Sequence, residues 1–299
     1  MLEVHSATHK REGLAVIKIG GSILTGSRAY RRAAIFIRNR HRASPRERLV
    51  VVVSAQDGAT DALERTARRI ANPADPVALD LLWSTGELRS VSLLALHLQA
   101  LGIAAAALNV HEAGLRLPLS EHDAGTVLLN DPVRLRHALK HHSVAIVPGF
   151  LAINLQGSVV SLGRGGSDLT AVLLAEGLGA SRCELIKDVA GYFSCDPHRD
   201  PTARHLPHLT FEQALVFADG GCDLVQRKAI EAAARCDLPV VIRSLDESAP
   251  ASRITTMRTD PAWADQVTVS AAASCSNRKT RKFLRSNIFG HAIEQRRRK

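Results

Sequence analysis

The chain has 299 residues, of which 45% are hydrophobic and 23% are charged. This composition is typical of a globular protein and excludes disordered, collagen-like and coiled-coil classes. The formal net charge is +10, which by itself suggests an anionic partner such as nucleic acid, a membrane surface or a phosphorylated ligand.

The five cysteines are scattered and form no Cys-x-x-Cys pair, so neither a disulfide framework nor a structural zinc site is predicted. The first 13 residues contain no apolar stretch of the kind found in export signals. We therefore expect a cytoplasmic protein that does not enter a membrane.

Apolar, β-branched runs alternate with helical patterns along the chain. Predicted strands cover residues 14–19, 49–55, 103–108, 143–149, 183–189 and 239–244, with a small hairpin around Gln156 and Gly157. Predicted helices cover about 28–42, 59–71, 77–101, 132–141, the segment after Ser167, 210–219 and 225–236. This alternation predicts an α/β fold, a three-layer α/β/α sandwich with a mostly parallel central sheet.

The first predicted strand ends in a glycine loop, where Lys18 precedes Gly20, Gly21 and Ser22. Glycines let backbone N–H groups approach a phosphate, and the lysine adds a positive charge. On this motif alone, an ordinary strand-to-helix turn with an exposed lysine is the better interpretation. No Gly-x-x-x-x-Gly-Lys-Ser/Thr segment occurs, which excludes a P-loop NTPase.

Two further polar segments lie next to apolar elements. Ser54, Thr60 and Asp61 follow the second predicted strand, and Ser84-Thr85-Gly86-Glu87 is placed at the start of a long apolar helix. Taken singly, both segments are typical of helix N-caps, with Thr60 or Asp61 in one and Ser84 or Thr85 in the other. The adjacent Trp83 could line a pocket, although a core position is the usual one for an aromatic side chain.

A longer motif, SLGRGGSDLTA, spans residues 161–171 immediately before an apolar helix. Three glycines bracket Arg164, and Ser167 and Asp168 follow. Backbone donors, a guanidinium fork and a carboxylate therefore converge at a helix N-terminus. An ordinary flexible loop does not explain this arrangement.

Together and in this order, the segments resemble the aspartokinase branch of the amino acid kinase family. The similar segments are VIKIGGS, VVVSAQDGATDAL, STGELRSVSLLALHLQALG, SLGRGGSDLTAVLLAEGLGA and CELIKDVAGYFSCDP, and the likeness runs from about residue 14 to about 256. The resemblance implies phosphorylation of the side-chain carboxylate of L-aspartate or a close analogue, with ATP and Mg²⁺ as cofactors.

The resemblance also implies roles for individual residues. Lys18 and Asp168 would be catalytic, with Asp168 orienting the lysine and the glycine loop. Glu87 would receive the substrate's ammonium and Arg164 its α-carboxylate. The full substrate-binding set would be Ser54, Thr60, Glu87, Arg164 and Ser167, and the nucleotide-binding set Gly20, Gly21, Ser22, Lys187, Asp188, Tyr192 and Arg199. No protein metal ligands are implied, since Mg²⁺ would arrive with the nucleotide.

From the resemblance we predict one kinase domain over residues 1–256. Its substrate lobe would cover about 14–160 and its nucleotide lobe about 161–256. We interpret residues 257–299 as a basic tail without an ACT regulatory domain, and expect no feedback control through such a domain. Residues 252–299 hold eleven cations against three acids, a balance of +8. Because the rest of the chain is then close to neutral, we expect a small-molecule substrate rather than a nucleic acid partner. We also expect a homo-oligomer, namely a dimer.

Three departures from the family pattern lie in the nucleotide half. Lys187 stands where threonine is usual, His198 where arginine is usual, and Asp223 where a lysine usually reaches the ATP phosphates. An aspartate beside a triphosphate replaces attraction with repulsion. The departures leave an alternative function open, that of a homologue impaired in nucleotide use that acts as a binding or regulatory subunit.

Overall fold

The computed structural model describes residues 13–117, 128–129, 132–163, 165–195, 197 and 200–256. The predictions made for Arg164, His198, Arg199 and the basic tail at 257–299 lie outside these residues.

The strands of the described residues are short to medium in length. In chain order they are β1 (Leu14–Ile19), β2 (Arg48–Val53), β3 (Ala105–Ala107), β4 (Leu115–Arg116), β5 (Leu128–Leu129), β6 (Val144–Pro148), β7 (Leu151–Ile153), β8 (Val159–Ser161), β9 (Arg182–Ile186), β10 (Tyr192–Phe193), β11 (His205–Leu206), β12 (His208–Thr210), β13 (Val240–Arg243) and β14 (Ser252–Thr255).

The helices of the same residues agree with the predicted ones to within a few positions. They are α1 (Ser27–Ala43), α2 (Ala59–Ile70), α3 (Pro76–Ala100), α4 (Val110–Ala113), α5 (Val133–His141), α6 (Gly166–Leu178), α7 (Phe211–Asp219) and α8 (Arg227–Arg235), with a single 3-10 turn at Gly21–Ile23. None of the helices in this part of the chain combines the length and apolar character needed to span a membrane.

An eight-stranded sheet forms the centre of the fold, in the order β12-β14-β13-β9-β1-β2-β6-β3. Neighbouring strands are parallel except for β13 and β14, which are antiparallel. The residues of β1 and nearly all of β2 are buried, as expected for parallel strands covered on both faces. The predicted mostly parallel sheet is confirmed.

Helices cover both faces of this sheet. On one face, α1 and α3 pack on alternate residues of β1 and β2 in a cluster that includes Ile37 and Leu94. On the other face, α5, α6, α7 and α8 pack on the remaining residues of the same strands in a larger cluster. This is the three-layer arrangement expected from the alternation of strands and helices.

Smaller elements surround the sheet, and the sequence patterns revealed only some of them. The predicted hairpin is present, because β7 and β8 pair antiparallel around Gln156 and Gly157. The outermost strand β12 and its neighbour β14, the short helix α4 and the β10-β11 pair were not predicted. They are too short to produce a clear periodic pattern.

The predicted helix caps at Ser84 and Thr85 are wrong. The helix α3 begins at Pro76, where the Asp75 carboxylate accepts a hydrogen bond from a backbone N–H at 2.8 Å. Ser84 and Thr85 lie two turns further along and donate to carbonyls of the preceding turn. Thr60 lies inside α2, which begins after a glycine and has no side-chain cap.

A buried carboxylate joins three elements on the α1 side of the sheet. Glu184 of β9 is 1% exposed and lies 2.6 Å from Arg40 of α1, 2.7 Å from Arg182 and 3.5 Å from Arg243 of β13. Arg182 also forms a bidentate ion pair with Glu47, in which its guanidinium donates two hydrogen bonds of 2.7 and 3.1 Å to the carboxylate. Such a network stabilises only when its charges remain paired.

We expect Glu184→Gln to lower the free energy of unfolding by about 3 kcal/mol, because it leaves a cluster of guanidinium groups without its central charge. Urea denaturation checks this. Arg134→Gln is the control, because the ion pair that Arg134 forms within the described residues, with Glu112 at 3.4 Å, involves an exposed guanidinium. This change should alter stability by less than about 1 kcal/mol. Equal effects of the two changes would contradict the assignment.

Candidate active site

A cavity of about 820 Å³ opens where the central parallel strands end. Carboxyl ends of parallel strands meet at one edge of a sheet, which is where α/β folds usually bind ligands. Its wall contains Lys18 of β1 and residues that follow the ends of β2, β6 and β9, namely Ser54, Phe150 and Lys187. The helix α3 adds Trp83 and Glu87.

An ion triad crosses the floor of this cavity. Asp168, in the first turn of α6, lies 2.9 Å from the Lys18 ammonium and 2.8 Å from the Lys187 ammonium, one lysine at each carboxylate oxygen. Lys18 and Asp168 are 7% and 3% exposed. The backbone N–H of Gln226 also donates to Asp168, at 3.4 Å. The triad carries one net positive charge.

The charges of this triad set its ionisation. Burial alone would raise the pKa of Asp168, but the charges of Lys18 and Lys187, with their hydrogen bonds, lower it to about 2. Burial lowers the pKa of Lys187, and the neighbouring Lys18 charge lowers it further, while Asp168 opposes both. The Asp168 carboxylate therefore stays ionised at neutral pH and holds both lysines in place.

Two glycines let the surrounding loops approach each other closely. A Cβ on Gly21 would lie 2.7 Å from the carbonyl oxygen of Ala55, and one on Gly149 would lie 2.6 Å from the Ser167 side chain. Neither distance is tolerated by a larger residue. The loops after β1 and β6 therefore pack directly on Ala55 and on the start of α6.

Glu87 is a second buried carboxylate in the same wall. It is 3% exposed and accepts hydrogen bonds from the backbone N–H groups of Ala55 and Gly149. Burial raises its pKa to about 8, although those two bonds and the Lys18 charge act in the opposite direction. Among the described residues, its Oε2 atom has no hydrogen-bond partner. A cationic group can therefore bind there.

Hydroxyl groups also line the cavity. The Ser54 hydroxyl donates to the Ser167 hydroxyl at 3.0 Å, which connects the end of β2 to the start of α6. Both side chains and Thr60 line the cavity. The structure thus brings together Lys18, Ser54, Thr60, Glu87, Ser167, Asp168 and Lys187 of the residues that the sequence singled out.

Other residues implied by the resemblance lie elsewhere. Gly20 immediately precedes the 3-10 turn and lies beside Lys18, whereas Ser22 and Asp188 are exposed and do not line the cavity. Tyr192 is 1% exposed and packs on Phe217, with ring centres 5.4 Å apart. Burial raises the pKa of its hydroxyl. The structure therefore does not bring Tyr192 into the cavity.

The cavity also contains residues that the sequence did not assign to it. Phe150, which has a left-handed backbone (φ 68°), and Gln226 both line it. Asp223, which the resemblance to the family places near the phosphates, lines the cavity as an exposed side chain. Within the described ranges, no group of three or more His, Cys, Asp or Glu side chains is placed to hold a metal ion.

Comparison with known proteins identifies the family. Residues 13–244 match the amino acid kinase family. The chain belongs to this family. Similar relatives include an aspartokinase of Thermus thermophilus, 40% identical over 198 residues that cover 66% of this chain and 48% of the relative. An aspartokinase of Mycolicibacterium smegmatis is 32% identical over 282 residues, covering 94% of this chain and 66% of the relative.

Solved structures of aspartate kinases are similar to this chain as well. Aspartate kinase from Synechocystis superposes with a TM-score of 0.72 at 32% identity, covering 82% of this chain and 40% of that one. Escherichia coli aspartokinase III, in complex with aspartate and ADP, superposes with a TM-score of 0.68 at 25% identity, covering 83% of this chain and 66% of that one. The resemblance to the aspartokinase branch is confirmed. The chain spans about half the length of the first Thermus and Geobacillus relatives that it matches.

We expect Glu87→Gln to stabilise this amino acid kinase family member increasingly as the pH rises from about 5 to 8. The pKa of Glu87 is raised in the folded state from 4.5 to about 8, so the native protein binds a proton that the unfolded chain has released. The wild type therefore loses stability over this interval, and the glutamine variant does not.

Melting temperatures of both proteins between pH 5 and 9 measure this difference, which should level off above pH 8. Glu247→Gln, at an exposed carboxylate, controls for the loss of one charge. A gap between wild type and Glu87→Gln that stays constant with pH would show that Glu87 titrates normally.

Proposed function

We propose that this protein is an aspartate kinase, which transfers the γ-phosphoryl group of ATP to the side-chain carboxylate of L-aspartate or a close analogue. The observation that carries the proposal is one cavity lined by two complementary groups: the buried carboxylate of Glu87, whose Oε2 has no hydrogen-bond partner among the described residues, and a net positive triad around Asp168. The similar proteins named aspartokinases, one of them solved with aspartate and ADP, support the same chemistry.

The amino acid would bind at the Glu87 end. Its ammonium satisfies the free Oε2 of Glu87 and favours the ionised carboxylate, while the hydroxyls of Ser54 and Thr60 offer further hydrogen bonds. Ser167, in the first turn of α6, adds another hydroxyl. The clamp on the α-carboxylate by Arg164 stays a prediction.

The phosphates of ATP would bind at the triad. Lys18 and Lys187 line the cavity, where their ammonium groups would attract a phosphate. Gly21 lines it too, and because it has no side chain its backbone can approach a phosphate. Asp168 positions both lysines and neutralises one of their two charges. Contacts of the nucleotide with Gly20, Ser22, Asp188 and Arg199, and the division into lobes at about residue 160, also stay predictions.

Catalysis then needs alignment and charge neutralisation rather than a covalent enzyme intermediate. A side-chain carboxylate oxygen of aspartate attacks the γ-phosphorus, the bond from that phosphorus to the bridging oxygen breaks, and ADP leaves with the electron pair. Lys18 and Lys187 stabilise the charge on the transferring group. The product is an acyl phosphate.

The residues present fit a magnesium ion that binds through the nucleotide. Both oxygens of Asp168 already pair with lysines, and the described residues offer no dense ligand cluster. Mg²⁺ usually keeps several waters and binds substrate phosphates. When bound, it supplies additional neutralisation of phosphate charge.

An acyl phosphate assay tests the proposed function. Purified protein is incubated with ATP, Mg²⁺ and L-aspartate in the presence of hydroxylamine, with glutamate and N-acetylglutamate as alternative acceptors. We expect hydroxamate and ADP in equal amounts with aspartate. Absence of both products with every acceptor would contradict a kinase function and favour the binding or regulatory role.

We expect Lys187→Gln to reduce kcat about a hundredfold and to raise KM for ATP, with little change in KM for aspartate. The reason is loss of one of the two charges that face the phosphates, an effect comparable to removing one transition-state donor. Lys228→Gln, at an exposed lysine of α8 outside the cavity, is the matched control. Unchanged steady-state constants in Lys187→Gln would remove Lys187 from the phosphate site.

A further inference from the structure

We propose that Trp83 is a substrate-binding residue whose indole N–H donates a hydrogen bond to the α-carboxylate of the amino acid. The inference rests on the proposed function, because it concerns the amino acid end of the same cavity. It adds a donor that the family resemblance does not assign.

The first observation is an unsatisfied donor. The Nε1 atom of Trp83 is buried and has no hydrogen-bond partner among the described residues. A buried indole N–H usually finds a hydrogen-bond acceptor, because a buried donor without a hydrogen bond costs free energy. Trp83 itself lines the cavity, so a bound ligand can supply that acceptor.

The second observation is the position of Trp83 relative to Glu87. Both residues belong to α3 and are four positions apart, which places them one turn apart on the same face of the helix. Gly86, between them, lets α3 approach Ala55 closely, because a Cβ there would lie 3.2 Å from the Ala55 side chain. The helix therefore presents Trp83 and Glu87 to the cavity together.

The two unsatisfied atoms have opposite character. Trp83 Nε1 can only donate a hydrogen bond, and the ionised Glu87 Oε2 can only accept one. An α-amino acid carries an ammonium and a carboxylate on the same carbon atom, so one end of the molecule offers the complement of both. A ligand with only one of these groups leaves one buried atom unsatisfied.

The geometry distinguishes the two carboxylates of aspartate. The reacting side-chain carboxylate must lie near Lys18 and Lys187, where the phosphates bind. The ammonium lies at Glu87, and the α-carboxylate is the group attached to the same carbon. Trp83, one turn from Glu87, is therefore assigned to the carboxylate that does not react.

Packing holds the indole in place for this task. The ring of Trp83 lies against that of Phe150, with centres 5.9 Å apart and planes at 60°. The backbone N–H of Phe150 is itself fixed by the Thr170 hydroxyl at 3.1 Å. Because both rings are constrained, the donor loses little conformational freedom when substrate binds.

Indole resonances provide a direct test. The sequence has only two tryptophans, Trp83 and Trp263, so a Trp263→Phe variant identifies the ¹⁵N–¹H signal of Trp83. With ADP and Mg²⁺ present throughout, addition of L-aspartate should shift this signal downfield and slow its exchange with solvent deuterium. Binding of aspartate, detected by calorimetry, without a change in this signal would overturn the role of Trp83 and leave the proposed function intact.

A ligand comparison tests which group Trp83 contacts. Trp83→Phe keeps an aromatic ring but removes the donor, and β-alanine is aspartate without its α-carboxylate. We expect the variant to raise Kd for L-aspartate about tenfold or more and to change Kd for β-alanine less than about twofold. Equal losses for the two ligands would assign Trp83 a packing role only, and absence of any aspartate binding to the wild type would overturn the inference and the proposed function together.

Discussion

A carboxylate held between two lysines is the interaction on which the rest of the site depends. Asp168 is almost fully buried, and a buried carboxylate is strongly unfavourable unless it is paired. Its ion pairs with Lys18 and Lys187, at 2.9 and 2.8 Å, join α6 to the end of β1 and to the residue after β9. Two positive charges and one negative charge leave an excess that faces the cavity. An anionic phosphoryl group is the kind of ligand that compensates it.

The separation between this triad and the second buried carboxylate depends on residues without side chains. Gly21 and Gly86 both approach Ala55, and Gly149 approaches Ser167. These contacts hold Glu87 close enough to the triad for the Lys18 charge to oppose the rise that burial causes in the Glu87 pKa. The glycines of the motifs therefore allow the close packing that brings α3, the loop after β6 and the start of α6 together around the cavity.

The sequence predicted the centre of the fold better than its edges, for a physical reason. The strands β1 and β2 are buried on both faces and consist almost entirely of apolar residues, so their signal is strong. The strands β12 and β14, at one end of the sheet, are short and contain exposed residues such as His208 and Arg253, so they carry no comparable pattern. The cavity residues that the sequence singled out were predicted because they belong to motifs that resemble the aspartokinase branch, and not from the hydrophobic pattern. The position of the Tyr192 ring could not be predicted, because a motif does not show on which side of a strand pair an aromatic ring packs.

The pair Lys187 and Asp223 shows why a motif departure must be judged in three dimensions. The aspartate alone indicates lost affinity for phosphate, but it is exposed, and its charge is screened by water and salt. Lys187 has a side chain only 14% exposed and lies within 2.8 Å of Asp168, in surroundings where Coulomb interactions are stronger. The electrostatic field at a phosphate depends on the position and burial of each charge and not on the element that contributes it. A lysine at the end of β9 can therefore compensate for an aspartate in the loop before α8.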